Sequence, residues 1–251
     1  MPDSNTLLIE RLQCIRGERT LFDKLDAHVE SGQCLHIIGA NGSGKTSLLR
    51  IISGLNTADQ GHVLWNKTPT NRHKDFLNDS AFIGHKDALK NELSAIENLR
   101  FEQKLNSSSQ STNTDSEEQL DNCLSQMQIL RCADLLAQQL SFGQRRRLTF
   151  AKLLLRPYKI WILDEPFTGI DVQGRKIIET LCMTHLENDG SIVLTHHQSL
   201  QNSVFKNHLT GLQLDQYSPE RINSPELTNS PEPMNSPEHP NNNSPENTEE
   251  V

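Results

Sequence analysis

The sequence predicts an α/β fold built on a mostly parallel sheet with helices on both faces. Short apolar runs of strand length, such as Ile160–Leu163 and Ile192–Leu194, alternate with segments whose apolar residues recur at helical spacing. The run Cys34–Ile38 leads directly into a glycine-rich turn and then a helix. The apolar run ending at Leu163 closes on two carboxylates, Asp164 and Glu165, which a parallel sheet places at its C-terminal edge, where ligands bind.

In chain order, Leu7–Leu12, Leu21–Val29 and Cys34–Ile38 carry short apolar patterns bounded by Gly17, Ser31 and Gly32, which suits strands joined by turns. Thr46–Ser53 reads as a helix stopped by Gly54. A polar island, Asn106–Gln119, lies between two helical stretches and reads as a surface loop. Leu120–Leu136 and Arg145–Leu155 repeat apolar residues at helical spacing, whereas Lys159–Leu163 and Ser191–Thr195 are strand-like. From Ser218 onward Ser-Pro-Glu recurs at 218–220, 224–226, 230–232, 236–238 and 244–246. With a proline in every copy and scarcely an apolar residue, this segment has too little surface to bury to offset the entropy of ordering. The expected organisation is one domain, 1–215, followed by a disordered tail, 216–251.

Several function classes are excluded. No run approaches the roughly 18 to 20 apolar residues of a membrane-spanning helix, and MPDSNTLLIERLQ has the character of neither a secretion signal nor a transit peptide. A cytosol-like compartment is expected. Cys14, Cys34, Cys123, Cys132 and Cys182 are odd in number and show no C-x-x-C pairing, which suits ordinary buried thiols rather than disulfides or a zinc site. The net charge of −8 is concentrated in the tail, where seven glutamates against Arg221 give −6. Charge therefore neither supports nor excludes a polyanionic partner.

The chemistry is carried by Gly39-Ala40-Asn41-Gly42-Ser43-Gly44-Lys45-Thr46, which satisfies G-x-x-x-x-G-K-[ST] between a strand and a helix. The glycines let backbone N–H groups close around phosphate oxygens, and the helix N-terminus favours negative charge. Lys45 is expected to neutralise the β- and γ-phosphates of ATP, and Thr46 to ligate Mg²⁺. Asp164 is expected to hold the same metal, and Glu165 to polarise the attacking water as general base.

Leu140-Ser141-Phe142-Gly143-Gln144, followed by the basic helix RRRLTFAKLLL, resembles the signature of the ABC ATPases, with phenylalanine where glycine is commoner. The resemblance implies a P-loop NTPase fold of ABC type, with an antiparallel N-terminal β subdomain and a helical subdomain at about 87–156. It adds Ser47 to the ATP-binding residues. It implies that Ser141, Gly143 and Gln144 act in trans on nucleotide held by a second subunit, in a homodimer of nucleotide-binding domains. Asp171 falls at the family's D-loop position. Of His196 and His197, which follow the last strand, His197 better fits the spacing of the switch histidine. Counting back from Glu97-Asn98, the usual Q-loop glutamine is replaced by His85, which could reach magnesium or its water through a ring nitrogen. No aromatic residue stands near Arg16 to stack on adenine; the guanidinium could take that place, the base could be loosely held, or Arg16 could make no base contact.

The runs ERTLFDKL, GANGSGKTSLLRIISGL, GHKDALKNELSAIENLRF, LSFGQRRRLTFAKLLL, IWILDEPFTGID and LTHHQSL together resemble the CcmA family, the haem exporter ATP-binding proteins of cytochrome c maturation. That likeness spans about residues 7–200. It implies a peripheral ATPase on the cytoplasmic face of the inner membrane, or the matrix face of an organelle inner membrane. The expected partners are an integral membrane subunit of CcmB type, with CcmC and CcmD and, indirectly, the haem chaperone CcmE; no nucleic acid is expected. The chain has no C-x-x-C-H, so haem binding by the chain itself is not expected. Two alternatives stand beside this reading: an ABC transporter subunit with another cargo, and a non-transport ABC protein.

Overall fold

The computed structural model describes residues 5–71, 74–106, 114–196, 200 and 203–219. Thr6–Arg16 (β1) and Arg19–Glu30 (β2) pair antiparallel across a two-residue turn in which Gly17 takes φ 60°, a conformation glycine adopts without strain. Gln60–Trp65 (β4) pairs with the other edge of β1, and Thr68–Pro69 (β5) completes an antiparallel sheet of order β2-β1-β4-β5. β1 is longer than the apolar run at Leu7–Leu12, because a register shift at Arg11 (φ 46°) returns Cys14 to the buried face. Opposite the shift stands Gly61 (φ 81°), where a Cβ would lie 2.4 Å from the carbonyl oxygens of Glu10 and Arg11.

The second sheet is wholly parallel, with order β6-β7-β8-β3-β9, from Ser80–Ile83 (β6), Ile160–Asp164 (β7), Ser191–Thr195 (β8), Cys34–Ile38 (β3) and Leu209–Gln213 (β9). Its central strands are buried on both faces, which is why they read as continuous apolar runs. Alternate residues serve two cores. Trp161, Leu163, Ile192 and Leu194 face helices Ala95–Asn106 (α3), Thr114–Gln126 (α4), Phe142–Ala151 (α5) and Val172–Glu187 (α6). Ile160, Ile162, Val193, Leu35 and Ile37 face Lys45–Ile52 (α1), Lys74–Asp79 (α2) and the inner side of the antiparallel sheet. Each buried Leu, Ile or Val contributes about 1.5–3 kcal/mol of burial free energy to this arrangement.

Three expectations need correction. The polar island 106–119 is not one loop: Asn106 ends α3 and Thr114–Gln119 open α4, where Glu117 pairs with Arg100 at 2.8 Å and Gln119 donates to the Leu155 carbonyl at 3.1 Å. Residues 107–113 lie outside the described residues. The helix expected over Leu120–Leu136 stops at Gln126, because Gln128 turns left-handed (φ 55°); Met127 and Ile129 still reach the core beyond the turn, which keeps the apolar spacing going without the helix. The chain also stays against the body past residue 215. Leu214 is buried, and the Tyr217 hydroxyl donates to the Asp26 carbonyl at 3.5 Å; residues 220–251, which carry the remaining repeats, lie outside the described residues.

All five cysteines are free, four of them buried, and burial pushes the Cys34 thiol up to about 12. Among the described residues no helix is long and apolar enough to cross a membrane.

Candidate active site

Strand register brings the site together at one sheet edge. Asp164 at the end of β7 pairs with Thr195 at the end of β8, and Thr195 pairs in turn with Ile37 of β3, just ahead of the glycine-rich turn. Within that turn Gly42 (φ 79°) and Gly44 (φ 103°) hold conformations that side chains resist. A Cβ on Gly39 would sit 2.6 Å from Ser43 Oγ. Lys45 is buried, with Nζ donating across the loop to the carbonyls of Gly39 (2.8 Å) and Ala40 (3.0 Å). The Ala40 N–H donates to the Asp215 carboxylate at 3.2 Å, so the residues after β9 brace the loop from outside. Asn41 is exposed, Ser47 lies in the first turn of α1, and the helix has no side-chain cap at Gly44. Ser43 Oγ is buried and has no hydrogen-bond partner among the described residues.

Asp164 is 2% exposed and accepts two hydroxyl donors, Thr46 Oγ1 at 2.8 Å and Thr195 Oγ1 at 2.7 Å. The same Thr195 oxygen accepts the backbone N–H of Glu165 at 2.9 Å. One buried hydroxyl therefore fixes both neighbouring acids, a role no sequence motif announces; the signal is its place as the last residue of a buried strand in register with Asp164. Glu165 itself sits at φ 49°, a conformation that costs a non-glycine residue about 1–3 kcal/mol. Its carboxylate accepts the Thr168 hydroxyl at 3.3 Å and lies 3.7 Å from Nδ1 of the exposed His85. The position deduced by counting back from Glu97 is thus brought to the proposed base.

His196 follows β8 and is buried; its carbonyl accepts Nε2 of the buried His36 at 3.2 Å. Burial holds the His36 pKa below its ordinary value, which keeps the ring neutral. His36 is a second residue that sequence reasoning missed. His197 lies outside the described residues.

Ser141 caps α5: its hydroxyl accepts the Gln144 N–H at 3.3 Å, while the Gln144 side-chain oxygen accepts the Ser141 N–H at 2.8 Å. A Cβ on Gly143 would meet nothing within 4 Å, so the chain's own packing does not demand glycine there. Phe142 is 55% exposed and rests against Gly169. The contacts of Ser141 and Gln144 are local, with no hydrogen bond among the described residues from either to the glycine-rich turn. Asp171 caps α6, accepting the Gly174 N–H at 2.8 Å. Arg16 is exposed, with Nη1 donating to the Ile15 carbonyl at 3.0 Å.

Residues 22–168 match the family model described as ABC transporter. The cytochrome c biogenesis ATP-binding export protein CcmA of Photobacterium profundum is 42% identical over 217 residues, covering 84% of this chain and 100% of the relative. The protein of the same name from Histophilus somni is 43% identical over 85% of this chain and 95% of the relative. Among solved structures, a dimeric ATP-binding cassette in a post-hydrolysis state with ADP and Pi superposes with a TM-score of 0.72, at 22% identity, over 83% of this chain and 94% of that one.

Proposed function

Because this chain belongs to the ABC transporter family, and within it to the CcmA-type ATP-binding proteins of cytochrome c biogenesis, we propose that it is the ATP-hydrolysing motor that drives haem export, or release of a haem-loaded chaperone, for cytochrome c assembly. It binds nucleotide and hydrolyses ATP as a subunit that works with a membrane partner and a second nucleotide-binding domain. In our reading the membrane partner is of CcmB type, with CcmC and CcmD alongside and the chaperone CcmE as the indirect beneficiary. The complex would sit on the cytoplasmic face of the inner membrane, or the matrix face of an organelle inner membrane.

The observation that carries the mechanism is the run of hydrogen bonds Thr46–Asp164–Thr195–Glu165, which ties the glycine-rich turn to both acids. In the proposed mechanism backbone N–H groups of 39–46 cradle the phosphates, and Lys45, already aimed across the loop, neutralises their β- and γ-oxygens. The hydroxyl of Thr46 and the carboxylate of Asp164 form the hard oxygen set that suits Mg²⁺. Magnesium held there would draw charge from the phosphate oxygens. Glu165 orients a water against the γ-phosphorus and accepts its proton, with ADP as leaving group; the 3.7 Å approach of His85 to that carboxylate supports a part for its ring in holding the water. The open space at Gly143 supports the in-trans role of the signature: a bare backbone at a helix N-terminus lets a second subunit's γ-phosphate come close. His197 would report the presence of that phosphate.

The test is a pull-down of the full chain from detergent-solubilised membranes, wild type beside Lys45→Ala, with identification of what is recovered. Recovery of CcmB-like and CcmC-like subunits is the expected result. An unrelated permease in their place would remove cytochrome c maturation from the proposal while leaving the ATPase.

A further inference from the structure

Arg146 lies on α5, two residues past the signature, and is 2% exposed. A guanidinium has five N–H donors in a fixed plane, and here each has its own acceptor. Nε donates to the Pro166 carbonyl (3.5 Å), Nη1 to the Gly84 carbonyl (3.1 Å) and the Asp87 carboxylate (3.3 Å), and Nη2 to the carbonyls of Asp164 (3.3 Å) and Glu165 (3.1 Å). One face of the group lies 5.4 Å from the buried Phe150 ring. Three segments thus meet on one side chain: the signature helix, the stretch 84–87 that carries His85, and the end of β7 with both acids.

This arrangement goes beyond what holding the fold together requires. A buried ion pair contributes little net stability compared with apolar packing of the same volume, so stability alone is a poor reason for a charge here. Two of the five bonds end on the carbonyls on either side of the strained φ at Glu165, whose N–H is held from the opposite direction by Thr195. The backbone of Glu165 is therefore bracketed at both ends. The hydroxyl of Thr149, one turn further along α5, lies 3.2 Å from the same Asp87 oxygen and 3.0 Å from the Arg145 carbonyl and shares its one proton between them, a second and weaker tie of segment 84–87 to the helix.

We propose that Arg146 is a positioning residue for ATP hydrolysis: it joins the signature helix, His85 and Glu165 into one rigid unit and holds the base at its 3.7 Å approach to the His85 ring. The proposal rests on the reading of Glu165 as the base. It also gives a physical route by which a displacement of segment 84–87 reaches the catalytic carboxylate.

The experiment compares the full chain with Arg146→Lys, Glu165→Gln and the double variant, measuring kcat, equilibrium ATP affinity and melting temperature. Lysine keeps the charge but has three donors on a point charge in place of five in a plane. Arg146→Lys should lower kcat on the order of a hundredfold at unchanged ATP affinity, as misplacement of a reacting group by about 1 Å does. In the Glu165→Gln background it should cost nothing further, since there is no base left to misplace. Should Arg146→Lys melt near the assay temperature, Asp87→Asn carries the same test. That change keeps the guanidinium and its four carbonyl bonds while weakening the tie to segment 84–87, and a smaller fall in kcat at unchanged affinity is expected. Wild-type kcat in these variants, or kcat and ATP affinity falling together with the folded fraction, would overturn the positioning role alone. Full turnover by Glu165→Gln would overturn the assignment of the base, and this proposal with it.

Discussion

Thr195 shows how much of the site depends on single atoms. Its hydroxyl donates to Asp164 and accepts the Glu165 N–H, in a position that is wholly buried. Thr195→Val keeps the shape and removes both bonds from buried polar groups. We expect a loss of about 1–3 kcal/mol in denaturant unfolding, together with a fall in kcat, because Glu165 loses half of what brackets it. Unchanged stability and turnover would show that the hydroxyl is incidental. At this scale the sequence revealed what is contiguous. Lys45, Thr46, Asp164 and Glu165 stand in motifs whose spacing follows from phosphate geometry and strand direction. His85 was legible by counting, and the structure brings it to Glu165. Thr195, His36 and Arg146 were not legible, because their partners are distant in sequence and meet only through strand register and helix docking.

Among the elements, the buried strands were the most legible. β8 runs over Ser191–Thr195 as expected, and β7 is displaced by one residue from Lys159–Leu163, since a strand buried on both faces is a plain apolar run. Helix ends were less so. Apolar spacing continues through Met127 and Ile129 although α4 has ended, and Thr114–Gln119 are polar yet helical because Glu117 and Gln119 find partners on α3 and beyond α5. The packing of α6 on β7 carries a pH signature. His185 lies flat on Trp161, with ring centroids 3.7 Å apart and planes 4° from parallel, and Gly190 leaves room for it, since a Cβ there would fall 2.3 Å from the ring. Burial lowers the His185 pKa to about 4, below the ordinary 6.5. A folded-state pKa below the unfolded one means that the contribution is fully present above about 6.5 and is lost as pH falls toward 4. About 3 kcal/mol should disappear over that window. Urea unfolding at pH 7, 5.5 and 4 measures it; His185→Phe should flatten that part of the slope, and an equal slope in both proteins would contradict the assignment.

On the scale of the whole molecule, the parallel sheet and its two cores bring the glycine-rich turn, Asp164 and Glu165 together at the C-terminal edge of β3, β7 and β8, the half-site proposed above, while Gly143 of α5 presents an open backbone. The fold class was legible because strand and helix periods alternate along the chain. The role proposed for the signature on a second copy was not, because among the described residues neither Ser141 nor Gln144 hydrogen-bonds to the glycine-rich turn; only the resemblance suggested it. In the proposed mechanism Glu165 turns over ATP held at this edge between two subunits. Size-exclusion chromatography of Glu165→Gln with Mg-ATP, run beside a turnover assay, puts this to the test. Nucleotide should still bind, hydrolysis should be lost and a nucleotide-dependent dimer should accumulate. Wild-type turnover by that variant, or a monomer that binds ATP without ever pairing, would contradict it.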